Sequence, residues 1–76
     1  DLPTAQKFDV ILANILARPL IEMAGSIARL LNKNGAIILS GFLDNQLDDI
    51  VTEYQKYNLS PLSIETKDRW VTLVLG

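Results

Sequence analysis

Asn14 is the residue of this chain best placed to contact a ligand. It closes the apolar run Val10, Ile11, Leu12 and Ala13, and a helical pattern begins almost at once after it. Ser40 and Gly41 fall near the end of a second run, Ala36 to Phe42. In open α/β sheets ligands bind beyond the carboxyl ends of parallel strands, so all three residues fall at the binding end. An asparagine there can donate and accept a hydrogen bond with a ligand, or it can cap the helix that follows. A glycine there serves close approach of a ligand or a tight turn into the next helix. The chain has no Cys and no His. Thiolate chemistry, the commonest metal ligand and the usual neutral-pH proton carrier are therefore excluded. The acidic group Asp44, Asp48, Asp49 and Glu53 reads as a solvated helix face with dipole compensation, since nothing else supplies convergent metal ligands. No catalytic side chain and no metal site are assigned, and the chemistry open to these residues is binding and alignment.

The elements that hold them follow from periodicity. A short continuous apolar run rich in β-branched residues, such as Val10 to Ala13, suits a strand covered on both faces. Leu16, Leu20, Met23, Ala24, Ile27 and Leu31 then lay one stripe along a helix, with Pro19 tolerated in its first turn. Asn32-Lys33-Asn34-Gly35 stops it, with Gly35 free to take positive φ. Ala36 to Phe42 is the second strand, and strand, helix, strand makes a parallel βαβ unit. Leu43, Leu47, Ile50, Val51, Tyr54 and Tyr57 mark a second helix. Asp44 and Asn45 supply its cap chemistry, Asp48 and Asp49 suit its positive end, and Lys56 suits its negative end. Ser60-Pro61 breaks that helix. Leu62, Ile64 and Thr66 alternate with polar residues as an edge strand does, Lys67-Asp68-Arg69 turns, and Trp70 to Leu75 closes an antiparallel hairpin. Asp1 to Lys7, with Pro3, reads as a loop into the first strand.

Seventy-six residues allow one domain at most, near the lower limit for a single core. Yet 49% of the residues are hydrophobic and only 21% charged, which is rich for so short a chain and looks built for a larger sheet. The absence of an initiating Met points the same way, to a piece of something longer. A net charge of −2 gives no basic field for nucleic acid. No apolar run reaches the roughly 18 residues of a membrane span. A cytoplasmic setting is expected.

An α/β chain that ends in an antiparallel hairpin resembles the second half of the Rossmann-like class I methyltransferase sheet, which uses S-adenosyl-L-methionine. There the last strand inserts beside an inner parallel strand and leaves its predecessor at the edge. Phe8-Asp9-Val10-Ile11-Leu12-Ala13-Asn14-Ile15-Leu16-Ala17, followed by Pro19-Leu20, resembles a strand motif of the bacterial family that methylates ribosomal protein eleven of the large subunit. Leu39-Ser40-Gly41-Phe42-Leu43 with Gln46, and Trp70 to Leu75, resemble two further motifs of that family. The resemblance runs from Lys7 to Gly76, and Arg18 departs from it where a small residue is expected.

The resemblance implies that residues 1–76 are the C-terminal part of a methyltransferase catalytic domain, in the order β-α-β-α-β-β. It implies a protein methyltransferase acting on amino groups, of lysine and of the N-terminus, of that ribosomal protein. Asn14 would contact the cofactor, and Ile15, Leu16, Ser40 and Gly41 would line the substrate side. The glycine-rich cofactor loop and the acidic residue for the ribose have no counterpart here, so the chain by itself is expected to be inactive. One alternative is a class I methyltransferase of another amine or amide, disfavoured because no ring follows Asn14 to stack on a planar group. A second is a non-catalytic α/β half-domain. The outer edge of the first strand is expected to be an association hazard.

Overall fold

The computed structural model describes residues 7–76. The loop expected over Asp1 to Lys7 lies, apart from Lys7, outside the described residues. Strand β1 (Phe8–Asn14) is followed by helices α1 (Ala17–Glu22) and α2 (Ala24–Leu30), strand β2 (Leu31–Leu43), a 3-10 turn (Asp44–Gln46), helix α3 (Leu47–Gln55) and strands β3 (Pro61–Lys67) and β4 (Trp70–Leu75). The sheet order is β1-β2-β4-β3, with β1 parallel to β2 and β4 antiparallel to both of its neighbours. The final strand thus inserts between β2 and β3 and leaves β3 at an edge, as expected.

All three helices feed one core on one face of the sheet. Ile37 and Leu39 of β2 and Val71, Leu73 and Leu75 of β4 alternate inward and meet Ala17, Leu20, Ala24, Ile27, Ile50 and Tyr54 from the helices. Tyr54 carries the polar link in this core: its hydroxyl donates to the Leu20 carbonyl oxygen at 2.8 Å, joining α3 to α1. Burial, with a smaller effect from Glu53, pushes the phenol up to about 12.

Coverage on both faces of β1 is not what the described residues show. Ile11 and Ala13 pack on the core, while Val10 and Leu12 point to the face without helices and stay exposed. The unbroken apolar run was therefore no guide to the second face.

Four local expectations are corrected. The single helix over Leu16 to Leu31 is two, because Met23 adopts φ −91° and ψ 0° just before the weak helix formers Gly25 and Ser26. Asn34, with φ 68°, takes the left-handed position that Gly35 was expected to fill. Gly35 is needed for space instead, since a Cβ there would lie 2.9 Å from the Asp9 carbonyl oxygen of the neighbouring strand. The third helix ends at Gln55, short of Tyr57. Asn58 at φ 64° terminates it before Ser60-Pro61, and the Leu59 N–H donates back to the Tyr54 carbonyl oxygen at 3.3 Å. Neither Asp44 nor Asn45 caps it; the Gln46 Oε1 accepts the Leu43 N–H at 2.9 Å.

The hairpin turn is tighter than expected, with Asp68 and Arg69 alone at its tip and both at positive φ (51° and 72°). That is the twist-matched two-residue geometry, here without glycine. Asp44 holds it on both sides: its N–H donates to the Arg69 carbonyl oxygen at 2.8 Å, and its carboxylate accepts from Arg69 Nε at 3.2 Å. Strand β3 is exposed along nearly its whole length, so the alternation of Leu62, Ile64 and Thr66 marks an edge without a covered face.

Candidate functional site

The parallel pairing of β1 and β2 ends with Asn14 opposite Ser40, at the carboxyl end of β1 and three residues before that of β2. The chain leaves β1 pinned by the Ile15 N–H, which donates to the Ser40 carbonyl oxygen at 3.1 Å. Leu16 follows in extended conformation as the residue before α1, and its side chain is exposed. No side chain caps α1, so the capping role open to Asn14 is not taken up. Among the described residues the Asn14 amide makes no hydrogen bond of its own, the residue is exposed, and its Oδ1 lies beside Gly41.

Gly41 does not form a tight turn into the next helix, because β2 continues to Leu43. It is the extra residue of a bulge: Ser40 pairs with Thr72 and Phe42 with Val71, leaving Gly41 unmatched. Its φ of 93° is one that other residues rarely adopt. A Cβ would fall 2.7 Å from Asn14 Oδ1 and 2.9 Å from the Ile15 carbonyl oxygen. The glycine thus lets Asn14 Oδ1 and the Ile15 backbone come close to the bulge, while Phe42 is turned back into the core, where it is 1% exposed.

Asn14, Ile15, Leu16, Ser40 and Gly41 together line one cleft of about 530 Å³, and Trp70 completes its wall. All five residues expected from the sequence are brought together. None of the six lining side chains is charged. A second cleft, of about 450 Å³, lies between α1 and α3 and is lined in part by Arg18, Glu22 and Asp49. Arg18 therefore faces the neighbouring cleft. Its mixed charges and its position on the helices make it the weaker candidate in an open α/β sheet. Of the acidic group, Asp44 is paired with Arg69, and Glu53 with Lys56 at 3.0 Å.

Trp70 is the residue that sequence reasoning missed. It reaches the cleft only because β4 inserts beside β2 and pairs Trp70 with Leu43. The available signal was its place at the start of a strand whose inward residues are Val71, Leu73 and Leu75, which turns Trp70 outward. It also supplies the cleft with a ring that the motif around Asn14 lacks.

The mixed sheet of four strands with its three helices has a counterpart among solved structures. A crystal structure of a ribosomal protein L11 methylase from Lactobacillus delbrueckii subsp. bulgaricus matches it with a TM-score of 0.91 at 30% identity, covering 100% of this chain and 38% of that one. The family model described as ribosomal protein L11 methyltransferase (PrmA) matches residues 1–76, and the chain belongs to that family. Curated relatives of the same name are 47% identical over 68 residues in Brucella suis, covering 90% of this chain and 24% of the relative. In Chelativorans sp. the figures are 42% over 66 residues, 87% of this chain and 23% of the relative. The chain thus spans about a quarter of the length of the curated relatives it matches.

Proposed function

We propose that this chain forms one wall of the catalytic site of an S-adenosyl-L-methionine-dependent protein methyltransferase of Rossmann-like fold, as the C-terminal part of its catalytic domain. Its substrate would be ribosomal protein L11, methylated on lysine and N-terminal amino groups in the cytoplasm. No helix among the described residues is long and apolar enough to cross a membrane. The observation that carries the proposal is the exposed Asn14 amide in the lining of an uncharged cleft, with Gly41 leaving room for its oxygen.

Those residues fit the cofactor. Asn14 would hold it by hydrogen bonds, and an amide oxygen beside a sulfonium is electrostatically favourable. Bound there, S-adenosyl-L-methionine supplies a methyl group already activated on sulfur. What remains for the chain is alignment and exclusion of water. Ile15, Leu16, Ser40 and Gly41 would border the path of the incoming amine, and Leu16, already exposed, would be covered by it. The amine must arrive uncharged, and a cleft without a carboxylate does not stabilise its protonated form. None of the lining residues is a general base. The chain alone would be inactive, since it holds one wall and no glycine-rich loop.

In the complete enzyme Asn14→Ala should weaken S-adenosyl-L-methionine binding by about 1–3 kcal/mol, the scale of a lost buried hydrogen bond. Calorimetric titration of the two proteins checks this, and unchanged affinity would sink the assignment of Asn14.

A further inference from the structure

We propose that Asp44 is a positioning residue for the strand-end cleft: acting through Arg69, it sets the hairpin tip so that Trp70 forms a fixed apolar wall. The proposal rests on the amine-methylating function above and adds to it a device outside the cleft. Neither Asp44 nor Arg69 lines the cleft. Trp70 does, and it is 54% exposed while Val71, Leu73 and Leu75 beyond it are buried. Its ring is no part of the core.

The backbone on both sides of Trp70 departs from regular strand. Two ladder pairs, Phe42 with Val71 and Leu43 with Trp70, lie between the Gly41 bulge and the hairpin tip. The tip holds Asp68 at φ 51° and Arg69 at φ 72°. A left-handed backbone is strained for a residue with a Cβ, and Asp tolerates it better than Arg. Glycine after Asp68 would serve a two-residue hairpin at lower cost. Strain of this kind persists where surrounding contacts over-determine it, and it gathers at functional sites.

The contacts that hold the tip come from Asp44. Leu43 and Trp70 are the last pair of the β2–β4 ladder, and Asp44 stands opposite Arg69 one step further on. There the Asp44 N–H donates to the Arg69 carbonyl oxygen at 2.8 Å, although the chain has already entered the 3-10 turn. The side chains repeat the link, with Arg69 Nε donating to the carboxylate at 3.2 Å. Glycine at 69 would relieve the backbone and lose this second contact. The two side chains are 60% and 45% exposed, so their ion pair adds little to stability. Its effect is geometric. Trp70 begins its strand between Leu43 on β2 and Lys67 on β3, with the Asp44 contact directly before it. A wall fixed in this way loses little freedom when a substrate side chain lies against it. The aliphatic stem of the incoming amine would pack on the indole by apolar contact, which leaves the nitrogen free to lose its proton and to line up with the methyl group.

The test uses the complete enzyme and its Arg69→Gly, Asp44→Ala and Asp44→Asn variants, with ribosomal protein L11 as the methyl acceptor. Each is also made with 5-fluorotryptophan, and the Trp70 fluorine resonance is identified by its loss in Trp70→Phe. Arg69→Gly should keep or raise thermal stability, because glycine accepts the positive φ. It should nevertheless lower kcat/KM for the acceptor about 3- to 10-fold, with S-adenosyl-L-methionine affinity unchanged. Asp44→Ala should lower kcat/KM by a similar factor. The two changes together should lose no more than either alone, since the residues act as one unit. Asp44→Asn keeps an oxygen for Arg69 and should retain most of the activity. The Trp70 resonance should shift or broaden in Arg69→Gly and Asp44→Ala and stay in place in Asp44→Asn. Wild-type kcat/KM or an unmoved Trp70 resonance in either folded variant overturns the proposal, since the clamp then serves the hairpin alone. Additive losses or weakened cofactor binding overturn it as well. A wild type that methylates no amine of the acceptor would overturn the amine-methylating function instead, which separates the two failures.

Discussion

The two faces of the sheet are built from similar residues and treated in opposite ways. On the helix side Ile37, Leu39, Leu73 and Leu75 are 0% exposed. On the other side Val10 and Leu12 are 56% and 73% exposed and Trp70 stands open beside the cleft. The helix side supplies the stability of the described residues. The open side carries apolar surface beyond what this core uses, which accounts for the high hydrophobic content of so short a chain. The cleft lies at the strand ends, where β1, β2 and β4 finish or begin.

The contrast can be broken most strongly at Leu39. Leu39→Ala removes a fully buried side chain from the centre of β2 and should cost about 2–5 kcal/mol in chemical denaturation. A loss below 1 kcal/mol would mean that the helix-side core is not close-packed.

At the junction of core and cleft, Gly41→Ala should cost about 1–3 kcal/mol through its positive φ. It should also push the Asn14 amide aside, because the new methyl would fall within contact distance of Oδ1. Amide NMR shifts reaching Asn14 and Ile15 would report this. A spectrum perturbed only at Gly41 would count against the coupling.

Tyr54→Phe leaves the buried Leu20 carbonyl without its partner and should cost about 1–2 kcal/mol. It should also change the alkaline limb of stability. The folded phenol is raised from 10.0 to about 12, so the stability it contributes is complete below about pH 10 and is lost as pH rises toward 12. Stability profiles of the two proteins should converge across that window. Parallel profiles would rule out Tyr54 as the titrating group.

The smallest effect belongs to the open face. Leu12→Ala removes the same atoms as Leu39→Ala, yet should change stability by no more than about 0.5 kcal/mol. A larger loss would show that something covers Leu12, and sedimentation at rising concentration would tell whether a second copy does.

Strand and helix types were legible wherever the pattern was local. The run before Asn14, the stripe from Leu16 to Leu31 and the alternation on either side of Asp68 each announce their element through side-chain periodicity alone. Element ends were less legible. Asn34, Asn58, Asp68 and Arg69 all adopt positive φ, and from residue type alone glycine was the natural choice at the first of these positions. The five expected cleft residues come together because each sits at or beside a strand end, and topology places strand ends without further information.

The sequence by itself determined the order of the elements, the hairpin at the end of the chain and the end of the sheet where a ligand would bind. Only the tertiary structure decided that Gly41 is a bulge, that Asn14 is free of a capping role, that β1 is covered on one face and that Trp70 joins the cleft. The physical reason is the range of the interactions. Periodicity records what a residue's neighbours in the chain require. A bulge, an open face and a cleft wall depend on which strand lies alongside, and that pairing joins residues some thirty positions apart, as at Leu43 and Trp70.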